Sequence, residues 1–456
     1  MECVTLRRFG LAVLLAMCAG AGVGAGPVSS VRPPRLAYTT TTLPNGLRVI
    51  LLEDHSTPIV NLQVWYHVGS KDERPGRTGF AHLFEHMMFK GSKNVGAEYH
   101  TAMIAGVGGQ ANAYTTEDVT VFWETVPSQY LPMAIYLEAD RLATLRIDKD
   151  AFIREREVVK EERRMRIENT PYGRLPEIIN NQAFTTHPYK HPTSGSMDDL
   201  QAASVEDVRE FFRTYYVPSN ATLVMAGDFD SAQANQLVTT YFGRVPGIDS
   251  RVPRDIPAEP PPTAPRRVTV EESWPLPVAV VAHHITFDGH PDSYPLHVAS
   301  KLLSDGQSSR LYRALIYESG IALAALGVGN IVEHPHLFYA VAIVQPGHTP
   351  AEAEQALCAE LDRLRAEPLS EADLARVKNQ FIRDHVVGRQ TVQQKATALG
   401  HAAVIHHGDI DSADADLDRI LQVTAADVQR VARTYFAPES RIVITVLPKF
   451  LTGGAQ

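Results

Sequence analysis

A segment near the middle of the chain recurs at its C-terminal end. SVEDVREFFRTYYVPSNATLVMAGDF, from Ser204, aligns with TAADVQRVARTYFAPESRIVITVLP, from Thr424, at a constant offset of 220 residues. Identical residues in the two copies are Asp207 and Asp427, Val208 and Val428, Arg213 and Arg433, Thr214 and Thr434, Tyr215 and Tyr435, and Pro218 and Pro438. Each copy predicts an acidic-capped helix, a proline-marked turn and an apolar strand. The unbroken register favours internal duplication over chance similarity between two helix–strand units.

A proline-rich stretch separates the two copies. VPGIDSRVPRDIPAEPPPTAPRR, from Val245, contains seven prolines and almost no apolar periodicity, which is typical of an extended linker. We therefore predict a first domain at 36–245, a linker at 246–267 and a second domain at 268–450. The predicted fold is α+β, with two homologous α/β-sandwich domains, each an antiparallel-rich sheet with helices packed on it.

Local signals agree with this architecture. An Asn45-Gly46 turn precedes the strand-forming run Arg48-Val49-Ile50-Leu51-Leu52, and a second run follows from Ile59 to Val68. Similar runs open the second half at Val268 and at Val278 to Ile285. Glu, Arg, Ala and Leu recur at helical spacing over 128–168, so helices are predicted there.

The N-terminus resembles a secretory signal, which we place at residues 1–25. Arg7 and Arg8 precede an apolar run from Phe9 to Cys18, and Val23-Gly24-Ala25 forms an A-x-A-like cleavage site. The run is too short and glycine-rich to cross a bilayer well, and no later segment is long enough. Export, to the periplasm, is therefore expected. An alternative interpretation is lipoprotein processing with a lipid on Cys18.

Charge and cysteine content narrow the possible partners and cross-links. The formal charge of -9 is spread along the chain without a basic block, so nothing indicates nucleic acid as a partner. Cleavage after residue 25 leaves Cys358 as the sole cysteine, and an intrachain disulfide cannot form.

The stretch AHLFEHMMF, residues 81–89, carries the first candidate site. On a helix His82 and His86 fall about 40° apart, so both imidazoles can reach one ion, while Glu85 lies about 60° from His82 on its other side. This H-x-x-E-H order is the inverted form of the zinc-peptidase motif. A polar edge on a buried helix is the alternative. Because a catalytic zinc needs three protein ligands, a third must come from elsewhere.

The segment FIREREVVKEERRMRIEN, from Phe152, is predicted to be helical and offers carboxylates for that role. Glu155 and Glu162 are seven residues apart and share a helical face, which Val158 and Val159 are expected to make apolar. Half-buried carboxylates need partners. Glu157 and Glu161 are interpreted instead as part of a solvated face.

Together these motifs resemble the pitrilysin/insulinase family of zinc peptidases, in particular the two-domain branch that includes the mitochondrial processing peptidase. The resemblance is carried by VGSKDERPGRTGFAHLFEHMMFKGS from Val68, GGQANAYTTEDVTVFWETVP from Gly108, EREVVKEERRMRIENTPYG from Glu155 and SSRLYRALIY from Ser308. It implies one zinc per chain, held by His82, His86 and Glu162. It also implies that Glu85 is the general base and that Glu155 supports the site.

The resemblance further implies how substrate is held. Asn112 and Ala113 would lie on an edge strand to which an extended peptide adds as a further strand. Arg310 and Tyr317, seven apart and expected to share a helical face, would bind substrate near the zinc, with Tyr317 able to donate to the developing oxyanion. In two-domain members this pair reaches the zinc site of the opposing subunit.

The implied function is a zinc metalloendopeptidase that hydrolyses extended or unstructured peptides within a chamber formed by dimerisation. Because one chain carries both residue sets, a homodimer is favoured over a heterodimer with a related subunit. Two alternatives stay open: a non-catalytic partner subunit of the same fold, and a zinc hydrolase of non-peptide amides. Among the other histidines, His187 and His191 are assigned a docking role. The pairs His283-His284 and His406-His407 lack a carboxylate at ligand spacing and are interpreted as structural or surface residues.

Overall fold

The computed structural model describes residues 34–247 and 252–449. The predicted signal segment, Cys18 and part of the predicted linker lie outside these ranges. Within them, no helix has the length and apolar character required to span a bilayer.

The first half of the chain forms a six-stranded sheet. Its strands are β1 (Thr39–Thr42), β2 (Arg48–Glu53), β3 (Ile59–Tyr66), β4 (Gln110–Thr115), β5 (Thr120–Pro127) and β6 (Ala221–Gly227). They lie in the order β1-β2-β6-β3-β5-β4. β2 and β6 are parallel, and the other pairs are antiparallel. β4 is therefore an edge strand.

The second half repeats this sheet without the first strand. Its strands are β7 (Arg266–Glu272), β8 (Val278–Ile285), β9 (Ala322–Gly329), β10 (His336–Val344) and β11 (Ile442–Pro448). Their order is β7-β11-β8-β10-β9, with β7 and β11 parallel and the other pairs antiparallel. Strand for strand, this is the order and direction of β2-β6-β3-β5-β4, so the predicted pair of homologous α+β folds is confirmed.

Helices connect and cover the strands. Those of the first half are α1 (Phe80–Met87), α2 (Tyr99–Gly106), α3 (Leu131–Thr144), α4 (Lys149–Arg163), α5 (Leu175–Ala183), α6 (Met197–Ala202), α7 (Val205–Tyr215) and α8 (Ser231–Phe242). Those of the second half are α9 (Ser293–Ser304), α10 (Pro350–Ala366), α11 (Glu371–Val387), α12 (Val392–Ile405), α13 (Ser412–Gln422) and α14 (Ala425–Tyr435). π-helical segments are Arg164–Glu168 and Tyr312–Glu318. Short 3-10 helices are Ser70–Asp72, Ser128–Tyr130, Pro188–Lys190, Pro218–Asn220 and Pro438–Ser440.

The repeated sequence segments form matching structures. At the start of α7, the Ser204 hydroxyl accepts a hydrogen bond from the Asp207 N–H, and the Asp207 carboxylate accepts one from the Ser204 N–H. Thr424 and Asp427 form the same reciprocal pair at the start of α14. Such pairs satisfy N–H groups that have no partner within the helix. The 220-residue offset therefore joins equivalent helix starts.

Each half covers one face of the other half's sheet. Side chains of α12, in the second half, pack on first-half strands in a cluster that includes Ile50, Trp65, Val121, Val224, Ala396, Leu399 and Ala403. In return, side chains from α5 and the loop after it pack on second-half strands in a cluster that includes Ile178, Ile179, Phe184, Tyr189, Val278, Val280, Leu337 and Ile444. Each sheet is thus covered on one face by a helix from the other half of the chain.

A buried ion cluster also joins the halves. Lys71 Nζ lies 2.6 Å from Glu333 Oε2 and 3.0 Å from Asp118 Oδ1, and its side chain is fully buried. Glu333 also faces His67 Nε2 at 2.8 Å. Because a buried charge without a partner is costly, these contacts fix the second-half loop that carries Glu333 against the first half.

The described part of the linker after residue 251 is held against the first half. Residues 252–264 contain no helix or strand, and β7 begins at Arg266, inside the predicted linker. However, the Glu259 carboxylate accepts hydrogen bonds from the N–H groups of Thr185, Thr186 and His187. Arg254 donates to Asp72 and to the His67 carbonyl. The segment is extended and bound to the first half, so it does not act as a flexible tether.

Candidate metal centre

α1 presents the H-x-x-E-H motif on its polar side. Leu83, Phe84 and Met87 are fully buried in the first-half core, as are most residues on the opposite side of this short helix. His82 and His86 are about one fifth exposed. Apolar packing of one side therefore orients the motif toward the cleft between α1 and α4.

The start of α1 is capped by a residue outside the helix. The residue before Phe80 is Gly79, which has φ 88° and no side chain to cap with. Glu73 supplies the acceptors: its Oε2 accepts from Gly79 N at 2.8 Å and its Oε1 from Ala81 N at 2.7 Å. Burial raises the pKa of Glu73 well above its ordinary value, against the effect of these two N–H groups. Glu73 thus anchors the helix that carries the motif.

α4 brings the carboxylates to this cleft. Asp148 caps its N-terminus, where the Asp148 side chain accepts a hydrogen bond from Ala151 N at 2.8 Å, and the helix packs against α1. Glu155 and Glu162 both face α1, as predicted from their spacing. Val159 is fully buried, but Val158 is 48% exposed, so the expectation that both valines make this face apolar is wrong for Val158.

The donor atoms of three residues converge. Glu162 Oε2 lies 3.2 Å from His86 Nε2 and 3.7 Å from His82 Nε2. Two donors that each lie about 2.1 Å from a tetrahedral zinc are roughly 3.4 Å apart, so this spacing fits one ion. Within the described ranges, His82 Nδ1 is buried and has no hydrogen-bond partner. No hydrogen bond at Nδ1 therefore turns His82 Nε2 away from the cluster. The set of two imidazoles and a carboxylate suits zinc.

The two histidines differ in protonation. Burial and the neighbouring His86 lower the pKa of His82 to about 4, so its ring is neutral at neutral pH. Burial also lowers the pKa of His86, but the nearby carboxylates of Glu155, Glu162 and Glu85 outweigh it and raise the pKa. Because a metal ligand must be a neutral imidazole, the lowered pKa of His82 favours metal binding and the raised pKa of His86 opposes it.

Glu85 is held by a residue of the edge strand. Thr115 Oγ1, at the end of β4, donates a hydrogen bond to Glu85 Oε2 at 2.5 Å. Burial raises the pKa of Glu85, although the Thr115 hydrogen bond and the His86 charge oppose the shift. A carboxylate with a raised pKa beside the ligand cluster is suited to accept and release a proton.

Glu155 supports His86 from behind. Its Oε2 lies 3.7 Å from His86 Nδ1, and its Oε1 lies 3.0 Å from Lys90 Nζ. Burial raises the pKa of Glu155, but His86 and Lys90 together lower it below its ordinary value. An ionised carboxylate on the far nitrogen orients a ligating imidazole and increases its basicity. Glu155 therefore lies behind His86 and outside the three-residue cluster.

A cavity opens beside the cluster. It has a volume of about 320 Å³ and is lined by His82, Thr115 and Glu162 among others. Arg166, on the π-helical segment after α4, also lines it and pairs with Glu162 Oε1. This leaves Glu162 Oε2 directed at the histidines.

β4 is the predicted edge strand. Asn112 and Ala113 lie on it, opposite Trp123 and Phe122 of β5. Asn112 is exposed, and its side-chain oxygen accepts a hydrogen bond from Ala113 N at 2.9 Å. The strand therefore has a free edge next to Thr115, and the Ala113 N–H is covered by a side chain rather than by a neighbouring strand.

Arg310 and Tyr317 are not brought to this cluster. In the described residues, no hydrogen bond or ion pair links either of them to the histidines or Glu162. Arg310 is 12% exposed and faces Asp373 at 3.8 Å, whereas Tyr317 is 79% exposed. The prediction that they share a helical face is wrong, because most of the intervening segment is π-helical and its bonds join residues five apart.

The remaining histidines are mostly structural. His187 is buried and accepts a hydrogen bond from Tyr189 N, and His191 lies 3.7 Å from the cap residue Glu73. His283 is fully buried, while His407 is exposed. His406 differs from the prediction, since the fold brings a carboxylate to it from another element.

Two residues that position the site, Thr115 and Glu73, were not predicted from the sequence. Thr115 lies inside the stretch GGQANAYTTED, but a hydroxyl contact between a strand end and a helix has no signature in spacing. Glu73 had a usable signal: a helix that begins with Gly79-Phe80 has no Ser, Thr, Asp or Asn cap, so an acceptor must come from elsewhere.

Two sequence models of one family match the chain. The model described as insulinase (peptidase family M16) matches residues 48–196, and the one described as peptidase M16 inactive domain matches residues 202–381. The histidine–glutamate cluster lies wholly within the first match, and Arg310 and Tyr317 lie within the second. This division follows the two halves of the fold.

Relatives match over most of their own length. The zinc protease PqqE of Helicobacter pylori is 28% identical over 445 residues, which are 97% of this chain and 98% of that protein. A probable beta subunit of the mitochondrial-processing peptidase of Arabidopsis thaliana is 24% identical over 419 residues, 90% of this chain and 78% of that protein. A crystal structure of a protease from Helicobacter pylori superposes with a TM-score of 0.87 at 27% identity, covering 91% of this chain and all of that one. The chain is a two-domain member of the insulinase (M16) family of peptidases.

Proposed function

We propose that the protein is a zinc-dependent endopeptidase that cleaves extended or unstructured peptides. The observation that carries the proposal is the convergence of His82, His86 and Glu162 beside a carboxylate, Glu85, that is fixed by the edge strand. The relatives named as zinc proteases support the choice of metal.

The chain's own residues supply the proton transfers. A bound zinc ion would supply Lewis acidity toward a water molecule and a peptide carbonyl. Glu85, held through Oε2 by Thr115, takes a proton from the attacking water and passes it to the leaving amine. Glu155 keeps His86 oriented during the reaction.

The free edge of β4 favours extended substrates. A peptide that adds as a further strand would place a carbonyl oxygen on the Ala113 N–H, in place of the Asn112 side chain that covers it now. Because β4 ends at Thr115, a peptide bound along this edge would run toward Glu85. Folded proteins do not present an extended strand in this way, which favours unstructured peptides over folded proteins.

The proposed active assembly is a dimer that encloses the substrate, with a homodimer favoured over a heterodimer with a related subunit. Tyr317, Leu323 and Leu326 are large apolar residues of the second half that are 79%, 53% and 42% exposed. Exposed apolar residues of this kind favour an interface between subunits. In this arrangement Arg310 and Tyr317 would contact substrate at the partner's metal centre.

Mixing variants tests the shared site. Glu85→Gln chains lack the base and Arg310→Ala chains lack the substrate contact, so each is expected to be inactive alone. If sites are shared between subunits, an exchanged mixture recovers activity from the dimers that keep one intact site. No recovery after verified subunit exchange would contradict the dimeric site and leave the zinc chemistry standing.

We also propose that the protein is exported, to the periplasm, on the basis of the N-terminal sequence. Mass spectrometry of the secreted or periplasmic fraction would show a mature N-terminus after residue 25. A lipid on Cys18 would instead give a membrane-associated product.

Glu85→Gln provides the main test of function. The substitution keeps the size and the Thr115 contact but removes the base, so zinc content is expected to equal that of the wild type while cleavage of unstructured peptides is lost. Glu161→Gln is the matched control, since Glu161 lies beside Glu162 but its side chain is 57% exposed. A zinc-free wild type would favour the non-catalytic partner subunit, and cleavage of small amides but not peptides would favour the other hydrolase.

A further inference from the structure

A second cluster of metal-ligating side chains lies in the second half. Asp288, His401 and His406 each offer one ligand atom, and these atoms lie within 4.8 Å of one another. The sequence shows no carboxylate at ligand spacing from His406, because Asp288 comes from a distant part of the chain. The interpretation of His406 as a structural or surface residue did not take this carboxylate into account.

The three residues come from two elements. Asp288 lies in the loop after β8, where its N–H donates to the Val332 carbonyl at 2.7 Å. His401 lies in the last turns of α12, and His406 follows the end of that helix. A cation beside the C-terminus of a helix is stabilised by the carbonyl ends that point there.

The spacing of this cluster matches that of the proposed zinc site. Asp288 Oδ2 lies 3.1 Å from His406 Nε2 and 3.9 Å from His401 Nε2. The corresponding distances from Glu162 in the first half are 3.2 and 3.7 Å. In each cluster, one distance is shorter and the other longer than the roughly 3.4 Å expected between two donors on one tetrahedral ion.

The buried nitrogen of His406 points to a ligand. The His406 side chain is 6% exposed and Asp288 is 12% exposed. Although the carboxylate is close, His406 Nε2 has no hydrogen bond of acceptable geometry to any residue that the structure describes, and it is shielded from solvent. Buried ring nitrogens rarely remain without a partner. A metal ion between nitrogen and carboxylate would satisfy both groups.

We propose that Asp288, His401 and His406 form a second site for a divalent transition metal such as Zn²⁺. His401 is 49% exposed, so the ion can enter from solvent. A cavity of about 670 Å³, lined by Asp288 and His406, leaves room for water or an exogenous ligand at an open coordination position. The set of two imidazoles and one carboxylate suits Zn²⁺, Co²⁺ or Ni²⁺ rather than Mg²⁺ or Ca²⁺.

The site would fasten one half to the other. α12 covers the first-half sheet, while the loop that carries Asp288 belongs to the second-half sheet. An ion bound by both α12 and this loop would stabilise their packing and would take no part in the proposed reaction. Metal binding at this site is therefore expected to stabilise the chain and to leave the peptidase centre unchanged.

A third group, His100, Glu124 and Glu138, does not share these properties. It is fully buried, and Arg141 already pairs with Glu138. Burial raises the pKa of Glu124 and of Glu138 to about 7 in each case. Because the group is buried and Arg141 already supplies a positive charge to it, we interpret it as an internal charge network.

Cobalt titration of the metal-free full-length chain separates the two sites. Co²⁺ coordinated by imidazole gives visible absorption bands, and two equivalents are expected to produce them in the wild type. Asp288→Asn, which is nearly isosteric, and His401→Ala, at a half-exposed position, are each expected to lose one equivalent. The control is His407→Asn, since His407 is exposed with φ 51° and Asn tolerates that conformation. Retention of the full wild-type stoichiometry in both variants would overturn the proposal, whether the wild type binds one equivalent or two.

Thermal unfolding gives an independent readout that does not use activity. In a chain carrying His82→Ala and His86→Ala, which lacks the first site, added Zn²⁺ is expected to raise the Tm. Adding Asp288→Asn to that chain is expected to abolish the rise. If Zn²⁺ leaves the Tm of the first chain unchanged, or raises that of the second equally, no second site exists. Because both chains lack the first site, this thermal result does not depend on the peptidase proposal.

Discussion

Thr115 Oγ1 donates a hydrogen bond of 2.5 Å to Glu85 Oε2, and this contact joins the edge strand β4 to the helix that carries His82 and His86. Thr115 and Glu85 lie on different elements, so their contact fixes both the position of the proposed base and its proton affinity. The hydrogen bond lowers the pKa of Glu85 against the larger effect of burial, which raises it.

Thr115→Val is therefore expected to shift the pH dependence of cleavage. Glu85 must be ionised to accept a proton, so activity falls as pH drops below its pKa. Removal of the hydroxyl raises that pKa further, and the acidic limb of kcat/KM moves to higher pH. A hydrogen bond to a charged group contributes about 1.5 kcal/mol or more, which corresponds to roughly one pH unit.

Thr115→Ser is the matched control, because it keeps the hydroxyl. Its acidic limb is expected to coincide with that of the wild type. If the Val and Ser variants have the same limb, the Thr115 contact does not set the protonation of Glu85.

Glu155→Gln is expected to weaken zinc binding without removing a ligand. Glu155 lies behind His86, where its charge raises the basicity of the ring. Loss of such a supporting carboxylate lowers metal affinity by about 10- to 100-fold. Competition with a chromogenic chelator measures the change.

Glu157→Gln serves as the comparison, since Glu157 lies on the same helix but is 50% exposed and pairs with Lys160. Its zinc affinity is expected to equal that of the wild type. Equal losses in the two variants would mean that the general charge of α4, rather than the Glu155 contact, controls affinity.

The sequence predicted the architecture and the centre of the site for identifiable reasons. The repeat at an offset of 220 residues reports duplication directly, since matched helix starts such as Ser204 and Thr424 use the same capping chemistry. His82, Glu85 and His86 span little more than one helical turn, so their spacing determines the directions in which their side chains point. Glu162 was predicted as the third ligand only by combining the need for three protein ligands with the family resemblance.

The remaining features depend on long-range packing, which no local pattern reports. The exchange of α5 and α12 between the sheets, the contact of Thr115 with Glu85 and the approach of Asp288 to His406 each join residues from separate elements. The prediction that Arg310 and Tyr317 share a helical face failed for a local reason, since α-helical spacing was assumed where the chain forms a π-helix.

Gly400→Ala is expected to destabilise the protein although alanine favours helices. A Cβ at Gly400, in α12, would lie 2.3 Å from Trp65 Nε1 and Cε2. Trp65 cannot easily move, because its Nε1 donates to Gln63 Oε1 at 2.8 Å. The intrinsic gain of about 1 kcal/mol is therefore outweighed by overpacking, for a net loss of about 1–2 kcal/mol in the free energy of unfolding.

A Trp65→Leu background tests the cause. With the indole removed, Gly400→Ala is expected to cost less, or to stabilise, in urea unfolding experiments. An equal cost in both backgrounds would show that the contact with Trp65 is not responsible.

The Asp54–Lys395 pair predicts a pH-dependent stabilisation between the halves. Lys395, on α12, donates to the Asp54 carboxylate at the end of β2, and this bond is the main cause that lowers the pKa of Asp54 from 3.8 to about 2. Because the folded pKa is depressed, the stabilisation is complete above the unfolded value and is lost as pH falls from about 4 to about 2. Lys395→Met should therefore destabilise the chain at pH 7, by up to about 1 kcal/mol for a partly exposed pair, and have little effect at pH 2.

Lys378→Met is the control, since Lys378 donates to the Leu421 carbonyl, which does not titrate. The loss of unfolding free energy that Lys378→Met causes, measured in urea, should not change over this pH range. A cost for Lys395→Met that stays constant from pH 7 to pH 2 would mean that Lys395 acts through packing of its aliphatic stem rather than through its charge.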